Sequence, residues 1–595
     1  MSKYNPVFII LALGLLIGVL TFDRYGESWD EESLQKYAGK SLAAYDTWSG
    51  QGVVNLGRDD LAYYGPFYVM LVENLATRLS LAIDTHPTDI RHFLYFVTYL
   101  AGVFAFYGLA IRWLKQTPAI GATLLFMSQP VLWGHAFINP KDTPFLALFL
   151  LSIFLGLRFF DLLETIQKKE TDLRSKRISA LLTALWLVSV FSLFIFTEAI
   201  RDYIASLVLS AQAGNTNIFT LIAKNIAAVP AETYTQRYFL LFLQVRMYYT
   251  LLITILLLYV WYKFRPDLIK TFFIILLPAV FLGFATSTRI LGPFAGLIVA
   301  LFALQKKGRQ ALPALAMYAG IAMIVTYLTW PYLWMDPIGR FFESLNEMSL
   351  YPWAGVTLFN GVGYKSTDLP YSYLPVLLGI QLTEPVWVLA IAGWIVAIVG
   401  GEKKRGLVVL SLLWFVIPLI GFIAFRAALY DNFRQILFIL PPIFLMAGVV
   451  IEKLKNVNWQ IMLISVCLIP SAVGIGDLYP YEYIYYNSFV GGVNGAAGRF
   501  ETDYWAISYR EAAEYVNDTA SPNADIWVEG PAHSFSLFAR GDLKIYSAGE
   551  TDRAESYEYV IATTRYGLYE ASHPDAEIVH RIMRGDAVLT VIKKP

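Results

Sequence analysis

The sequence predicts a polytopic all-α membrane domain followed by a small soluble α/β domain, and three observations carry that expectation. Of 595 residues, 57% are hydrophobic and only 15% charged, with a mean hydropathy of +0.52; soluble domains carry about 25% charged residues. Apolar runs of about 20 residues, the length that crosses a bilayer, recur along most of the chain. Beyond Asp477 those runs stop and the composition turns soluble.

The same composition excludes several classes. Lys plus Arg and Asp plus Glu both number 46, so no basic field points to nucleic acid. The lone cysteine, Cys467, sits in an apolar run and can form no internal disulfide. There is no G-x-x-x-x-G-K-[ST] element, no metal spacing among the histidines, no internal repeat and no pair of broken helices of the inverted-repeat transporter kind. Nothing in the spacing calls for a cofactor or a divalent metal.

The first apolar segment, from Pro6 to Leu20, follows one lysine, Lys3, and precedes Thr21-Phe22-Asp23-Arg24, a poor cleavage site. It reads as a retained span. Further spans are expected near 91–113, 117–133, 143–161, 179–198, 238–262, 270–286, 290–305, 312–330, 380–400, 406–425, 436–452 and 459–476. That makes about thirteen, which places the two ends on opposite sides. The loops agree. With the N-terminus in the cytoplasm, the inner loops hold Arg112 and Lys115, then Lys168, Lys169, Arg174, Lys176 and Arg177. Lys263, Arg265, Lys270, Lys306, Lys307, Arg309, Lys403, Lys404, Arg405, Lys453 and Lys455 follow in later inner loops. Every second loop is basic, as the positive-inside rule requires for a protein of the plasma membrane.

The outer loops differ in character. The first, residues 22–90, carries Asp23, Glu27, Asp30, Glu31, Glu32, Asp46, Asp59, Asp60, Glu73 and Asp84. Ser28, three residues before Glu31, reads as a capping box. Leu34, Tyr37, Ala38, Leu42 and Tyr45 then suit a helix lying along the membrane surface. A second surface helix is expected from Pro66 to Ala82. Residues 331–372 form another long outer loop rich in Trp, Tyr and Pro, which argues for an ordered interfacial layer. These loops belong to a membrane domain over 1–476. Residues 477–595 form an extracytoplasmic linker and small domain, with a tyrosine belt at 479–486 and a glycine-rich linker over 491–498. A helix is expected from Tyr509 to Val516, and strands at Asp525–Val528, Tyr557–Ala562 and Ala587–Ile592.

Polar groups at membrane depth are expensive, so those at the outer rim are functional candidates. The second outer loop packs His135, Asn139, Lys141 and Asp142 between two spans. Thr286-Ser287-Thr288-Arg289 forms a third outer turn, and an outer arginine beside hydroxyls suits a phosphate. Arg426 and Arg434 flank Tyr430-Asp431-Asn432, and Glu384 lies near the outer end of its span. Blander accounts stay open for each. Acids in a first turn complement the helix dipole, His135, Lys141 and Asp142 can snorkel, the arginines can pair with outer carboxylates, and Glu384 can cap a helix break. Taken together, acids and cations at one outer face suit group transfer from a membrane-bound phosphate donor. A carboxylate takes the acceptor's proton while a cation holds the departing phosphate.

Here the residues reach a resemblance. Trp29-Asp30-Glu31 with Tyr37-Ala38 after the first span resembles the Asp-Glu motif of GT-C glycosyltransferases, in the family of protein O-mannosyltransferases and lipid A aminoarabinose transferases. Asp142-Thr143-Pro144-Phe145 resembles that family's second-loop element, Thr288-Arg289 with Gly292-Pro293 a later outer turn, and Arg434 with Pro441-Pro442 the region before a late span. The resemblance implies a GT-C fold, a polyprenyl-phosphate sugar donor and inversion with an aspartate base. On the reading of these residues as a transferase site, Asp30, Glu31 and Asp142 are the candidates for catalysis, and Arg289, Lys141 and Arg434 for holding the donor phosphate. His135, Asn139, Tyr37 and Glu384 would line the donor or acceptor pocket. The chain departs from the pattern at Tyr64-Gly65-Pro66-Phe67, where aminoarabinose transferases have Lys-Pro-Pro; Lys141 is the candidate substitute. Three readings stand: a membrane glycosyltransferase acting on a hydroxyl acceptor, a transporter or flippase of lipid-linked sugars, or a non-catalytic assembly scaffold, which would leave the loop acids without a common cleft. The transporter needs ionisable groups near mid-membrane.

Overall fold

Within a bilayer a lone segment can satisfy its backbone polar groups only as a helix, and the apolar runs form helices. The computed structural model describes residues 4–49, 61–163, 172–222, 226–349, 351, 353, 355–548 and 556–595. Asp59, Asp60, Lys168 and Lys169 lie outside the described residues. Among the described residues, nine helices are long and apolar enough to cross a membrane. They are Asn5–Arg24, Pro87–Trp113, Asp142–Leu162, Leu173–Ile195, Ala231–Phe264, Pro266–Thr286, Pro293–Thr329, Lys404–Ala424 and Val457–Leu478. A tenth candidate is the pair Tyr373–Gln381 and Glu384–Val399, bent by 114°.

The difference from about thirteen has local causes. The run over 117–133 is broken into helices Gln116–Met127 and Pro130–Ile138, because Pro130 lacks the N–H that would continue the first helix. The run over 436–452 opens as a 3-10 turn, Arg434–Ile439, and its α-helix is only Pro441–Lys453. The expected spans 290–305 and 312–330 are present as two helices, Pro293–Lys307 and Leu312–Thr329, parted by the 3-10 turn Gly308–Ala311 with Gly308 at φ 54°; together they make the single segment Pro293–Thr329 named above. Helices are present where two were expected in the first loop, as Glu31–Ala43 and Phe67–Ile83.

The chain divides into two compact units. One comprises Met1–Lys36, Leu71–Phe154 and Ser349–Pro595, the other Tyr37–Met70 and Leu155–Met348. In the first unit an aromatic core holds the helices: Phe96 stacks on Phe137 at 4.2 Å between centroids, and Tyr25 stacks on Phe137 at 4.3 Å. A two-stranded hairpin pairs β1, Val356–Phe359, with β2, Val362–Lys365. Its turn is Asn360-Gly361, both at positive φ, the residue pair that such two-residue turns demand.

The carboxyl-terminal part of that unit is a five-stranded sheet of β3 (Asp525–Val528), β4 (Lys544–Ser547), β5 (Tyr559–Thr563), β6 (Glu577–Arg584) and β7 (Ala587–Lys594), in the order β4-β3-β5-β7-β6. β3 runs parallel to β4 and β5, while β7 is antiparallel to β5 and β6. Helix Tyr509–Thr519 buries Tyr509, Ala512, Ala513 and Val516, one face at helical spacing against the sheet residues Ile526, Val528 and Ile561. The three expected strands and the helix are present; β4, β6 and the hairpin were not expected.

In the second unit, Arg246 lies within the span Ala231–Phe264 and is buried. It donates to Thr197 Oγ1 at 2.8 Å, Tyr327 Oη at 2.6 Å, the Leu193 carbonyl at 3.2 Å and the Trp334 carbonyl at 3.2 Å. One guanidinium thus ties four segments together, which offsets the cost of a charge at that depth.

Candidate functional site

Three helix or turn starts in the first unit carry the charged residues. Asp30 immediately precedes helix Glu31–Ala43, Lys141 precedes helix Asp142–Leu163, and Arg434 opens the turn Arg434–Ile439. Their side chains meet. Lys141 Nζ is 3.0 Å from Asp30 Oδ2. Arg434 Nη1 is 3.0 Å from Asp142 Oδ2, its Nη2 is 2.9 Å from Asp431 Oδ2, and Nη2 also lies 3.6 Å from Asp30 Oδ2. Arg434 and Asp142 are almost wholly buried, whereas 29% of the Asp30 side chain and 11% of Lys141 remain exposed. Solvent therefore reaches the cluster at Asp30 and Lys141.

Asn139 builds the second loop. Its Oδ1 accepts the backbone N–H groups of Lys141 at 3.0 Å and Asp142 at 2.7 Å, which caps the helix behind them. That fixes the amide, so Nδ2 faces Asp142 Oδ2 at 3.1 Å and His135 Nδ1 at 3.2 Å. Nδ1 of His135 then accepts, and Nε2 carries the proton toward Tyr504 Oη, 3.0 Å away. Burial pushes the His135 pKa down to about 3, against the pull of Asp142. His135 is thus a neutral strut and Asn139 a positioning residue, both in the wall of the cluster.

Asp30 and Glu31 diverge. Burial alone would raise the Asp30 pKa, but Lys141, Arg434 and Arg565 outweigh it and hold the carboxyl well below the usual range. Glu31 turns inward. Its Oε2 accepts the Ser28 N–H at 2.6 Å, the return half of the capping box, and Oε1 lies 3.2 Å from His92 Nε2. Neither side chain of the Glu31–His92 pair is exposed. Burial opposes ionisation of Glu31, yet His92 and the Ser28 N–H keep its pKa low. Next to it, burial and the Glu31 charge raise Glu27 to about 8, with Gln35 Nε2 donating to it at 2.6 Å.

The other expected site residues lie elsewhere. Glu384 Oε1 accepts the Ser488 N–H at 2.7 Å, in the first unit. Tyr37 and Arg289 belong to the second unit. Tyr37 Oη donates to the Tyr64 carbonyl at 2.7 Å, and the Arg289 guanidinium lies 6.0 Å from the Tyr64 ring centre. There the Tyr64-Gly65-Pro66-Phe67 element packs on the Thr286–Arg289 turn: the Phe67 N–H donates to the Ser287 carbonyl at 3.0 Å, and Phe67 stacks on Phe284.

Sequence reasoning passed over two members of the cluster. Asp431 appeared only as part of a polar patch, and Arg565 did not appear at all. Arg565 Nη2 is 2.5 Å from Asp431 Oδ1, and Nη1 donates to the Tyr504 carbonyl. It stands at the carboxyl end of β5, where ligands of parallel sheets commonly sit; that strand end was its one sequence signal. Among the described residues no three His, Cys, Asp or Glu side chains converge as metal ligands do; the carboxylates here converge on guanidinium groups.

No family model and no curated protein matches the chain. Among solved structures it is similar to ArnT from Cupriavidus metallidurans bound to undecaprenyl phosphate, at 11% identity and a TM-score of 0.47, covering 99% of this chain and 98% of that one. The same enzyme in the apo state gives 12% identity, a TM-score of 0.47 and the same coverage. The Archaeoglobus fulgidus oligosaccharyltransferase tethered to an acceptor peptide gives 12% identity and a TM-score of 0.34, over 94% of this chain and 69% of that one. At these values the likeness assigns no residue a role.

Proposed function

We propose that this protein is an integral-membrane glycosyltransferase that moves a sugar from a polyprenyl-phosphate donor to a hydroxyl acceptor at the extracytoplasmic face, with inversion. The observation that carries the reading is the partly exposed Asp30–Lys141 pair at a helix start, backed by the buried Arg434. In the resting state Asp30 is a weak base, because three cations stabilise its charge. A donor phosphate beside Lys141 offers the ammonium a stronger partner. As Lys141 turns to the phosphate, Asp30 loses the nearest of the charges that suppress its basicity, and the base is armed only when the donor is bound. The acceptor oxygen then attacks the anomeric carbon, its proton passes to Asp30, and the carbon–oxygen bond to the phosphate breaks. The phosphate leaves with the electron pair, held by Lys141. Asp142 keeps Arg434 in place rather than sharing the proton. Arg289 is assigned by its outer turn alone.

The transporter reading is the weaker one. Arg246, placed within a long span, is spent on hydroxyls and carbonyls of its neighbours. The deciding experiment incubates the purified protein with a panel of polyprenyl-phosphate sugars and follows release of free polyprenyl phosphate. Release with at least one donor is expected, and none across the panel, with flipping of labelled donor in vesicles, would overturn the assignment.

A further inference from the structure

Arg565 reaches the Asp30 cluster from the carboxyl-terminal sheet, and everything around it is built to hold it there. Its guanidinium carbon lies 5.3 Å from the Trp29 ring centre, 5.6 Å from that of Trp353 and 4.7 Å from that of Tyr566. These rings come from the first outer loop, the second long outer loop and the turn after β5. A cation enclosed by aromatic faces is stabilised by their quadrupoles and is kept from rotating away. Both ends of the Arg565–Asp431 pair are held by left-handed backbone at residues other than glycine: Asp431 at φ 55°, Asn432 at φ 60° and Tyr566 at φ 57°. Such conformations cost energy and persist where the surroundings impose them, characteristically at functional sites. Asp431 divides its two oxygens, Oδ1 to Arg565 and Oδ2 to Arg434.

We infer that Arg565 is a positioning residue through which the carboxyl-terminal domain sets Arg434, and through Arg434 the basicity of Asp30. The inference rests on the transferase reading for its catalytic meaning. With Arg565 present, Asp431 is shared, and Arg434 keeps charge to direct at Asp30 and Asp142. Without it, Asp431 turns wholly to Arg434 and neutralises more of it, while the direct field of Arg565 on Asp30 is also lost. Both changes make Asp30 easier to protonate. The charged groups that set Asp30 are then Lys141 and Arg434, with Asp142, Asp431 and Glu501 behind them and Glu31 facing away toward His92.

The test compares wild type, Arg565→Gln, Arg565→Lys and Asp431→Asn in the full-length protein. The first readout needs no turnover: carbodiimide labelling of Asp30 at mildly acid pH, mapped by peptide mass spectrometry, since only the protonated carboxyl reacts. Asp30 is expected to label at least about threefold faster in Arg565→Gln, because half a pKa unit changes the protonated fraction by that factor. Arg565→Lys should lie between, and Asp431→Asn, which frees Arg434, should not show the increase. The second readout is the pH profile of kcat with donor KM. The acid limb of kcat should move to higher pH in Arg565→Gln with little change in KM. A purely structural role would lower Tm and leave both labelling and the acid limb unmoved; that outcome, or equal labelling in folded Arg565→Gln and Arg565→Lys alike, overturns the inference. If no donor is turned over by wild type, the transferase reading fails while the labelling arm still decides whether Arg565 sets Asp30.

Discussion

Asp30 and Glu31 are neighbours in sequence and opposites in setting, and the difference sharpens what substitutions should do. Asp30 is partly exposed among cations; Asp142 and Asp431 remain on Arg434 if it is lost. Asp30→Asn should therefore keep expression and a Tm close to wild type but lose at least about 10²-fold in transfer rate, since an amide accepts no proton. Glu31→Gln retains the acceptor for the Ser28 N–H yet leaves His92 facing an amide in a fully buried pair. Weakening the partner of a buried polar group costs about 1–3 kcal/mol, so Glu31→Gln should lower Tm while its kcat falls less than that of Asp30→Asn. Transfer rates and melting temperatures of both variants in detergent check this, and a fully active Asp30→Asn would take Asp30 out of the mechanism. At this scale the sequence made part of the cluster legible. Asp30, Lys141, Asp142 and Arg434 each stood out as charges where an apolar chain should have none. Arg565 did not, because a charge in a soluble domain is unremarked until the fold buries it.

The turn Tyr64-Gly65-Pro66-Phe67 shows how an element can look like a lost motif and serve as a joint. A Cβ at Gly65 would lie 2.2 Å from the Ser287 carbonyl oxygen and 2.7 Å from its Cα. These are backbone atoms with no room to yield. Gly65→Ala should accordingly cost roughly 1–3 kcal/mol, the usual penalty of overpacking, seen as a lower Tm; an unchanged Tm would mean that the two turns separate easily. Elements were legible where their period was long and clean, as in the spans and in helix Tyr509–Thr519. They were lost where continuity depended on one residue: Pro130 splits a run that hydropathy reads as a single span. The β1–β2 hairpin carried its signal in Asn360-Gly361 with Val356 and Leu358 before it and Val362 and Tyr364 after. The surrounding Trp and Tyr content, read as an interfacial layer, hid it.

Across the whole molecule, buried acids give stability a definite slope with pH. Glu27 is raised from the ordinary 4.5 to about 8, and burial raises Glu482 and Glu501 to about 7. Between those limits these three groups hold protons in the folded chain that the unfolded chain has released, so the stability they contribute falls as pH rises toward about 8. Asp30 and His135 have the opposite sign: the window of Asp30 lies below the ordinary carboxyl pKa, and that of His135 runs from the ordinary 6.5 down to about 3, where stability is lost as pH falls. Glu27→Gln keeps the acceptor for Gln35 and removes the titration. Its Tm should fall less steeply than wild type between about pH 5 and about pH 8 and exceed it at the alkaline end; parallel curves from a thermal-shift series would refute this. The aromatic clasp on Arg565 also sets an order in time. Asp30 is made near the start of the chain and Arg565 more than five hundred residues later. At about 5–20 residues per second the ribosome needs roughly half a minute to two minutes to cover that interval. Throughout it a growing chain already holds Asp30, and later Lys141 and Arg434, but not the arginine that tunes them. If Arg565 sets Asp30 as inferred, the making of β5 and the turn after it is the event that gives Asp30 its final charge balance, and a chain stalled short of β5 would hold Asp30 without it.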